Sequence, residues 1–151
     1  MTDPDSMACW QRINPRLTTS GRLTADDPAR LKAIGVSRVI NLAMPDSVDA
    51  LADEAGLMAE ADIAYVHIPV PFDAPDESHF AAFCTAMEEA GEAPVHIHCI
   101  LNWRVSAFVY RWNCMQGMSK DHARALMQVH WDPATSPHAN APAWAAFIGD
   151  A

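Results

Sequence analysis

The sequence contains no long apolar run, and no stretch approaches the roughly 20 consecutive apolar residues that are needed to cross a bilayer. Its opening residues, MTDPDSMACW, have neither the basic start nor the apolar centre of a secretory signal peptide. We therefore expect a cytoplasmic protein that has no membrane partner.

Basic residues are also few. Ten Lys and Arg residues stand against 19 Asp and Glu residues, which gives a formal net charge of −9 at pH 7. A charge of this sign repels polyanions at long range, so we expect no nucleic-acid partner. No residue pattern indicates a bound cofactor, and we expect none.

Cysteine is sparse and dispersed. The four cysteines form no Cys-x-x-Cys pair; they are Cys9, Cys84, Cys99 and Cys114. A reducing compartment would keep all four as thiols, which argues against a disulfide framework. A helical pattern places Cys84 on the apolar face of its segment, so we expect it in the core.

The chain length fits one hydrophobic core. The 151 residues, half of them apolar, fall within the usual range of a single domain, and no repeat or polar linker divides them. We expect one domain over residues 1–151, with a core at about 10–130 and a helical tail at 131–151.

Three short runs rich in Val and Ile predict β-strands at residues 37–43, 64–70 and 93–99. The stretch 10–20 is a weaker candidate for an edge strand. Between and after these runs, start and stop signals predict helices from Asp27 to Gly35, Ser47 to Gly56, Asp76 to Gly91, Arg104 to Gly117 and Ser119 to His130. Alternating strands and helices indicate an α/β domain with three layers, in which helices flank a mostly parallel sheet of about four strands.

The segment VHIHCILNWRVSAF places Cys99 at the end of a buried strand and just before a helix. Free backbone N–H groups and the positive end of the helix dipole favour an anion there, and so favour a thiolate over a thiol. Arg104, five residues on, offers a rigid fork of donors to an oxyanion. The pair therefore predicts a nucleophile beside an anion cradle.

Histidines suggest a different chemistry. His67, His96 and His98 lie on predicted strands that could be adjacent, and the last two share one face of their strand. Because no fourth ligand occurs at a recognisable spacing, we expect no metal site.

The pattern HC…R…S at a strand-to-helix turn resembles the phosphate-binding loop of protein tyrosine and dual-specificity phosphatases. The segments TTSGRLT, GVSRVINLA, YVHIPVPFDAP and HCILNWRVSAF, in this order, resemble a bacterial phosphatase-like family that occurs alone or fused to a β-lactamase-like hydrolase. The resemblance covers residues 16–112. It implies a cysteine-phosphatase fold and the hydrolysis of a phosphorylated substrate, either a protein or a small molecule.

The resemblance also implies roles for individual residues. Cys99 would attack phosphorus, and His98 would fix the loop backbone. The phosphate oxygens would be bound by Arg104 and by the loop residues Ile100, Leu101, Asn102, Trp103 and Val105. Asp73 would protonate the leaving oxygen, and Ser106 would donate to the cysteine sulfur. Two of these residues have simpler readings, because Asp73 suits a turn and Ser106 suits a cap on the first turn of a helix. Asp76 is better explained as a helix cap.

The interval between Cys99 and Arg104 departs from this family. The phosphatases have five intervening residues, whereas this loop has four. Either the arginine has moved forward in a full-length loop, or the loop is one residue shorter. Rhodanese-type sulfurtransferases also use four, so sulfur transfer through a Cys99 persulfide is an alternative, and a catalytically weak phosphate-binding module is another. The loop has no glycine, and Asn102 is the residue best able to take a positive φ. The substrate and the oligomeric state stay open.

Overall fold

The computed structural model describes residues 2–149. In this part of the chain five strands and six helices follow one another as β1 Gln11–Asn14, β2 Leu17–Ser20, α1 Asp27–Ala33, β3 Arg38–Asn41, α2 Glu54–Glu60, β4 Ala64–His67, α3 Glu77–Ala90, β5 Val95–His98, α4 Trp103–Met115, α5 Lys120–Gln128 and α6 Ala141–Ile148. The predicted α/β architecture is confirmed.

The five strands form one sheet in the order β1-β2-β5-β3-β4. Strand β1 is antiparallel to β2, and all other neighbours are parallel. The sheet thus has one strand more than expected, because residues 10–20 form a hairpin instead of one edge strand. Of these two strands only β1 lies at an edge of the sheet, because β2 pairs with β5 inside it.

Hydrophobic clusters cover both faces of the sheet, because side chains alternate along a strand. On β3, Val39 belongs to a smaller cluster with Leu31 of α1 and Met58 of α2. Its neighbour Ile40 belongs to a larger cluster that includes residues of α3, α4, α5 and α6. The sheet is therefore the middle of three layers, as predicted.

The second helix does not lie where the sequence predicted it. Residues 47–53 form turns and α2 begins at Glu54, because Asp49 and Asp53 have φ angles of 67° and 53°, which interrupt a right-handed helix. Gly56, expected at the helix end, lies inside α2. A Cβ atom there would come within 2.5 Å of the Asp53 carboxylate, so a larger residue would displace that side chain.

Two predicted helix starts are confirmed by their caps. The Asp76 carboxylate accepts hydrogen bonds from the backbone N–H groups of Ser78 and His79 at the start of α3. The Ser119 hydroxyl accepts one from the N–H of His122 at the start of α5. Cys84 on α3 is half-buried and packs against the larger cluster.

The C-terminal segment packs onto the larger cluster. The side chain of Trp144 is fully buried, and its Nε1–H donates to the carbonyl oxygen of Phe72 at 2.6 Å. Trp131 and Trp144 both contact the Phe72 ring, with centroid distances of 5.6 and 5.7 Å. The tail therefore fixes the segment that follows β4. No helix within residues 2–149 has the length and apolar character needed to cross a membrane.

Candidate active site

Cys99 lies at the carboxyl end of β5, between β2 and β3, with 1% of its surface exposed. Its N–H donates to the carbonyl oxygen of Ser20 at 3.4 Å, and the next carbonyl, of Ile100, accepts from Arg22 at 2.9 Å. Gly21 lies directly behind the loop, and a Cβ atom there would come within 2.4 Å of the Ile100 oxygen. The end of β2 therefore supports the back of the loop.

The loop after Cys99 leaves backbone donors open. Within residues 2–149, the N–H groups of Ile100, Leu101 and Asn102 form no hydrogen bond to the chain. They lead directly into the first turn of α4, whose N–H groups also lack helical partners. Because these amides and the helix dipole both favour negative charge, the loop is suited to binding an anion.

Asn102 supplies the positive φ that the loop requires, as predicted. Its φ is 66°, and its side chain is buried. The Nδ2 atom donates to the hydroxyl of Thr19 at 3.0 Å and to the carbonyl oxygen of Cys9 at 2.9 Å. These bonds tie the loop to β2 and to the chain before β1.

Arg104 is a buried cation, with 8% of its surface exposed. Its Nη1 donates to the carbonyl oxygen of Val70 at 3.1 Å, and its guanidinium carbon lies 5.9 Å from the centre of the Phe72 ring. No carboxylate of the described chain forms an ion pair with it. A buried charge without a counterion is costly, so the site favours an anionic ligand.

A cavity of about 370 Å³ opens over this loop. Five of the sequence-predicted site residues line it, namely Cys99, Ile100, Leu101, Trp103 and Arg104, together with Met44, Asp46, Ser47, Val48, Phe72 and His138. Most of the wall is apolar, and Val48 and Leu101 are exposed at its rim. The cavity therefore combines an anion cradle with an apolar entrance.

Five predicted residues lie outside this lining, namely Asn102 and His98 together with Val105, Ser106 and Asp73. Val105 is fully buried in the core, and Ser106 is buried with its hydroxyl donating to Asn102 Oδ1 at 3.2 Å. Asp73 is exposed in the turn that follows Phe72, where the Ala74 N–H donates to the Pro71 carbonyl oxygen. Asp73 therefore does not line the cavity itself but follows Phe72, which does.

The histidines beneath the loop use their ring nitrogens in hydrogen bonds. His96 bonds the hydroxyls of Thr18 and Ser20, each at 2.8 Å. His98 contacts Glu54 Oε2 at 2.6 Å and the carbonyl oxygen of Cys99 at 3.1 Å. No group of metal-ligating side chains occurs among residues 2–149.

Sequence reasoning missed three residues. Asp46 and His138 line the cavity, and Glu54 contacts His98. Asp46 could have been found, because it follows β3 at the carboxyl edge of the sheet. No local signal marks Glu54, which lies on a different element 44 positions from its partner. His138 reaches the cavity only because its segment packs on Phe72 and Trp103.

Comparisons with known proteins agree with this geometry. The model of a family described as a DSP-PTPase phosphatase fused to NAD+ kinase matches residues 5–141. A crystal structure from Shewanella putrefaciens CN-32, described as a candidate phosphatase (DUF442), has a TM-score of 0.83 and 29% identity, covering 97% of this chain and 94% of its own. No curated protein sequence matches the chain.

Two more distant structures share the fold. TpbA from Pseudomonas aeruginosa, determined in complex with phosphotyrosine, has a TM-score of 0.70 and 20% identity, covering 100% of this chain and 95% of its own. Tk-PTP in its active form has a TM-score of 0.70 and 19% identity, covering 92% of this chain and 95% of its own.

Proposed function

Because the chain belongs to the family of dual-specificity-type phosphatase domains described as fused to NAD+ kinase, we propose that it hydrolyses phosphomonoesters with Cys99 as nucleophile and Arg104 as oxyanion ligand. The proposal is carried by one observation. A buried guanidinium that forms no ion pair with a carboxylate of residues 2–149, and a row of open amides, lie at a cavity that also contains a buried thiol. This arrangement matches the charge of a phosphoryl group.

The proposed reaction has two displacements. The Cys99 thiolate attacks phosphorus, so that a P–S bond forms while the P–O bond to the leaving group breaks. A carboxylic acid gives its proton to the leaving oxygen. Water then attacks phosphorus, its proton passes to the same carboxylate, and the P–S bond breaks to release phosphate and the thiolate. Arg104 and the amides of residues 100–105 stabilise the three equatorial oxygens in both steps.

We propose that His98 fixes the start of the loop and that the Ser106 hydroxyl stabilises the departing sulfur. In the ground state this hydroxyl donates to Asn102, whose φ shapes the loop. We also propose that residues 1–151 act as a single domain, because the tail contributes Trp144 to the core and His138 to the cavity.

The first experiment measures two activities of the wild-type protein in parallel. We expect steady-state release of p-nitrophenol and phosphate from p-nitrophenyl phosphate, and no thiocyanate from thiosulfate and cyanide. The control variant is Cys84→Ser. It removes a half-buried thiol that lies outside the cavity, so it should release phosphate at the wild-type rate. Thiocyanate without phosphate release would instead assign sulfur transfer. Bound phosphate with neither product would assign a binding module.

The proton donor is proposed to be Asp73. Asp73→Asn should lower kcat/KM for phenyl phosphate about 10²-fold, because general-acid catalysis matters most for a poor leaving group. The loss should be much smaller with p-nitrophenyl phosphate, and the fall in rate at high pH should disappear. Steady-state kinetics with both substrates across pH measures each effect.

Asp46→Asn is the comparison for this experiment, because Asp46 is a second exposed carboxylate and lines the cavity itself. If Asp46→Asn lowers kcat/KM more for phenyl phosphate than for p-nitrophenyl phosphate and Asp73→Asn does not, the acid is Asp46 and the assignment of Asp73 is wrong.

A further inference from the structure

A buried hydrogen-bonded chain connects helix α2 to the nucleophile. Glu54 and His98 are 6% and 2% exposed, and the distance from Glu54 Oε2 to His98 Nε2 is 2.6 Å. On the other side of the ring, His98 Nδ1 lies 3.1 Å from the carbonyl oxygen of Cys99. The imidazole therefore bridges a carboxyl group and the peptide of the nucleophile.

The partners of His98 limit where its protons can be. A carbonyl oxygen can only accept, so Nδ1 carries a hydrogen and donates it to Cys99. The short contact between Nε2 and Glu54 holds one further proton, which the carboxylate and the ring share. When that proton is on the ring, the pair is neutral as a whole, and its positive end faces the Cys99 peptide while its negative end faces α2.

Two titratable groups beside His98, His96 and Tyr65, are held neutral. His96 stacks on His98 with a centroid distance of 6.5 Å, and burial holds the pKa of His96 well below its ordinary value. Burial raises the pKa of Tyr65 to about 12. Asn41 Nδ2 donates to the Tyr65 hydroxyl at 3.1 Å and to Glu54 Oε1 at 3.5 Å, which fixes the carboxyl group.

Two more titratable groups lie near this chain. His67 contacts the carbonyl oxygen of Ala43 through Nε2 at 2.6 Å, and its ring lies 6.1 Å from that of Tyr65. Asp53 precedes Glu54 but is exposed to solvent, which screens its charge. Glu54 is thus the one carboxyl group of the described chain that bonds His98.

We propose that Glu54 is a positioning residue for the nucleophile, which keeps His98 protonated on both ring nitrogens and so places a positive charge against the Cys99 peptide, where it favours the thiolate. The inference deepens the proposed function and rests on it for the catalytic role. Without the carboxylate, a charged His98 would be a buried cation lacking a counterion, which is costly. The thiolate would then lose a favourable neighbour.

The test compares Glu54→Gln, which preserves the side-chain shape and removes the charge, with the wild type. The readout is the rate of Cys99 alkylation by iodoacetamide as a function of pH. We expect the midpoint of this profile to move up by about one pH unit, which makes alkylation about tenfold slower at low pH. Glu60→Gln, an exposed site on the same helix, is the matched control and should show the wild-type profile.

A second variant and a second measurement keep the test decisive. Adding Glu54→Gln to a His98→Asn background should cause no further shift, because Glu54 acts through His98. The ¹⁵N spectrum of the unmodified protein, which needs no folded variant, should show both ring nitrogens of His98 protonated at neutral pH. An unprotonated Nε2, or an unshifted alkylation profile in folded Glu54→Gln, would overturn the proposal. Neither readout requires phosphatase turnover, so failure here is distinct from failure of the proposed function.

Discussion

The Cys99→Ser variant is expected to release phosphate from p-nitrophenyl phosphate at least ~10⁴-fold more slowly than the wild type, because removal of a covalent nucleophile eliminates the reaction path itself. A serine hydroxyl is far less acidic than a thiol, so the loop amides and α4 would not ionise it near neutral pH. Product formation under substrate saturation measures the loss.

Phosphate binding should survive this substitution. The open amides of residues 100–102 and the guanidinium of Arg104 are unchanged, so inorganic phosphate should bind Cys99→Ser at least as tightly as the wild type, as measured by calorimetry. The control is Cys114→Ser. Cys114 lies on α4, half-buried and outside the cavity, so this variant should keep full activity. Turnover by Cys99→Ser within tenfold of the wild type would remove Cys99 from the mechanism.

Much of the fold follows from local sequence. The β3, β4 and β5 strands were predicted because Val and Ile runs are bounded by turn signals, and α3 and α5 because Asp76 and Ser119 cap them. The family resemblance is confirmed, since the family model covers residues 5–141. The family description names NAD+ kinase as the fused domain, while the β-lactamase-like partner stays an expectation.

Elements that depend on distant contacts were predicted poorly. Helix α2 starts at Glu54 instead of Ser47, because Asp49 and Asp53 take positive φ angles, which aspartate tolerates but does not by itself predict. The hairpin of β1 and β2 was expected as one edge strand, since β2 gains its place from parallel pairing with β5, about 78 positions away.

The residues of the candidate site also fall into a group that the local sequence predicts and a group that depends on distant contacts. The loop from Cys99 to Arg104 could be located because strand, cysteine and helix are contiguous. Glu54 and His138 could not be, because each reaches the site through packing of a separate element. The chemistry that the sequence reveals is therefore the contiguous anion cradle, whereas the groups that tune it come from the tertiary structure.

Substitutions of Arg104 are expected to have the second large effect, and comparing two of them distinguishes the role of its charge from that of its planar shape. Arg104→Ala should lower kcat/KM for p-nitrophenyl phosphate about 10³-fold, because the oxyanion loses its only buried cation in the cavity lining of the described chain. Arg104→Lys keeps the charge but has no planar fork, and it should lose about 10²-fold. Steady-state kinetics of the three proteins gives both ratios.

The two variants also test the four-residue interval of the loop. In the structure, one Arg104 nitrogen is already held by the carbonyl oxygen of Val70, so only the remaining donors can face a phosphoryl group. If they do, the loss in Arg104→Ala should fall mainly on kcat, since the charge on the oxygens is redistributed in the transition state, and vanadate should bind weakly. Arg111→Ala, two turns further along α4 and paired with Glu77, should leave kcat unchanged. An Arg104→Ala protein with wild-type kcat would mean that the shortened interval directs this arginine away from the reacting phosphoryl group, and the anion cradle would then consist of the amides alone.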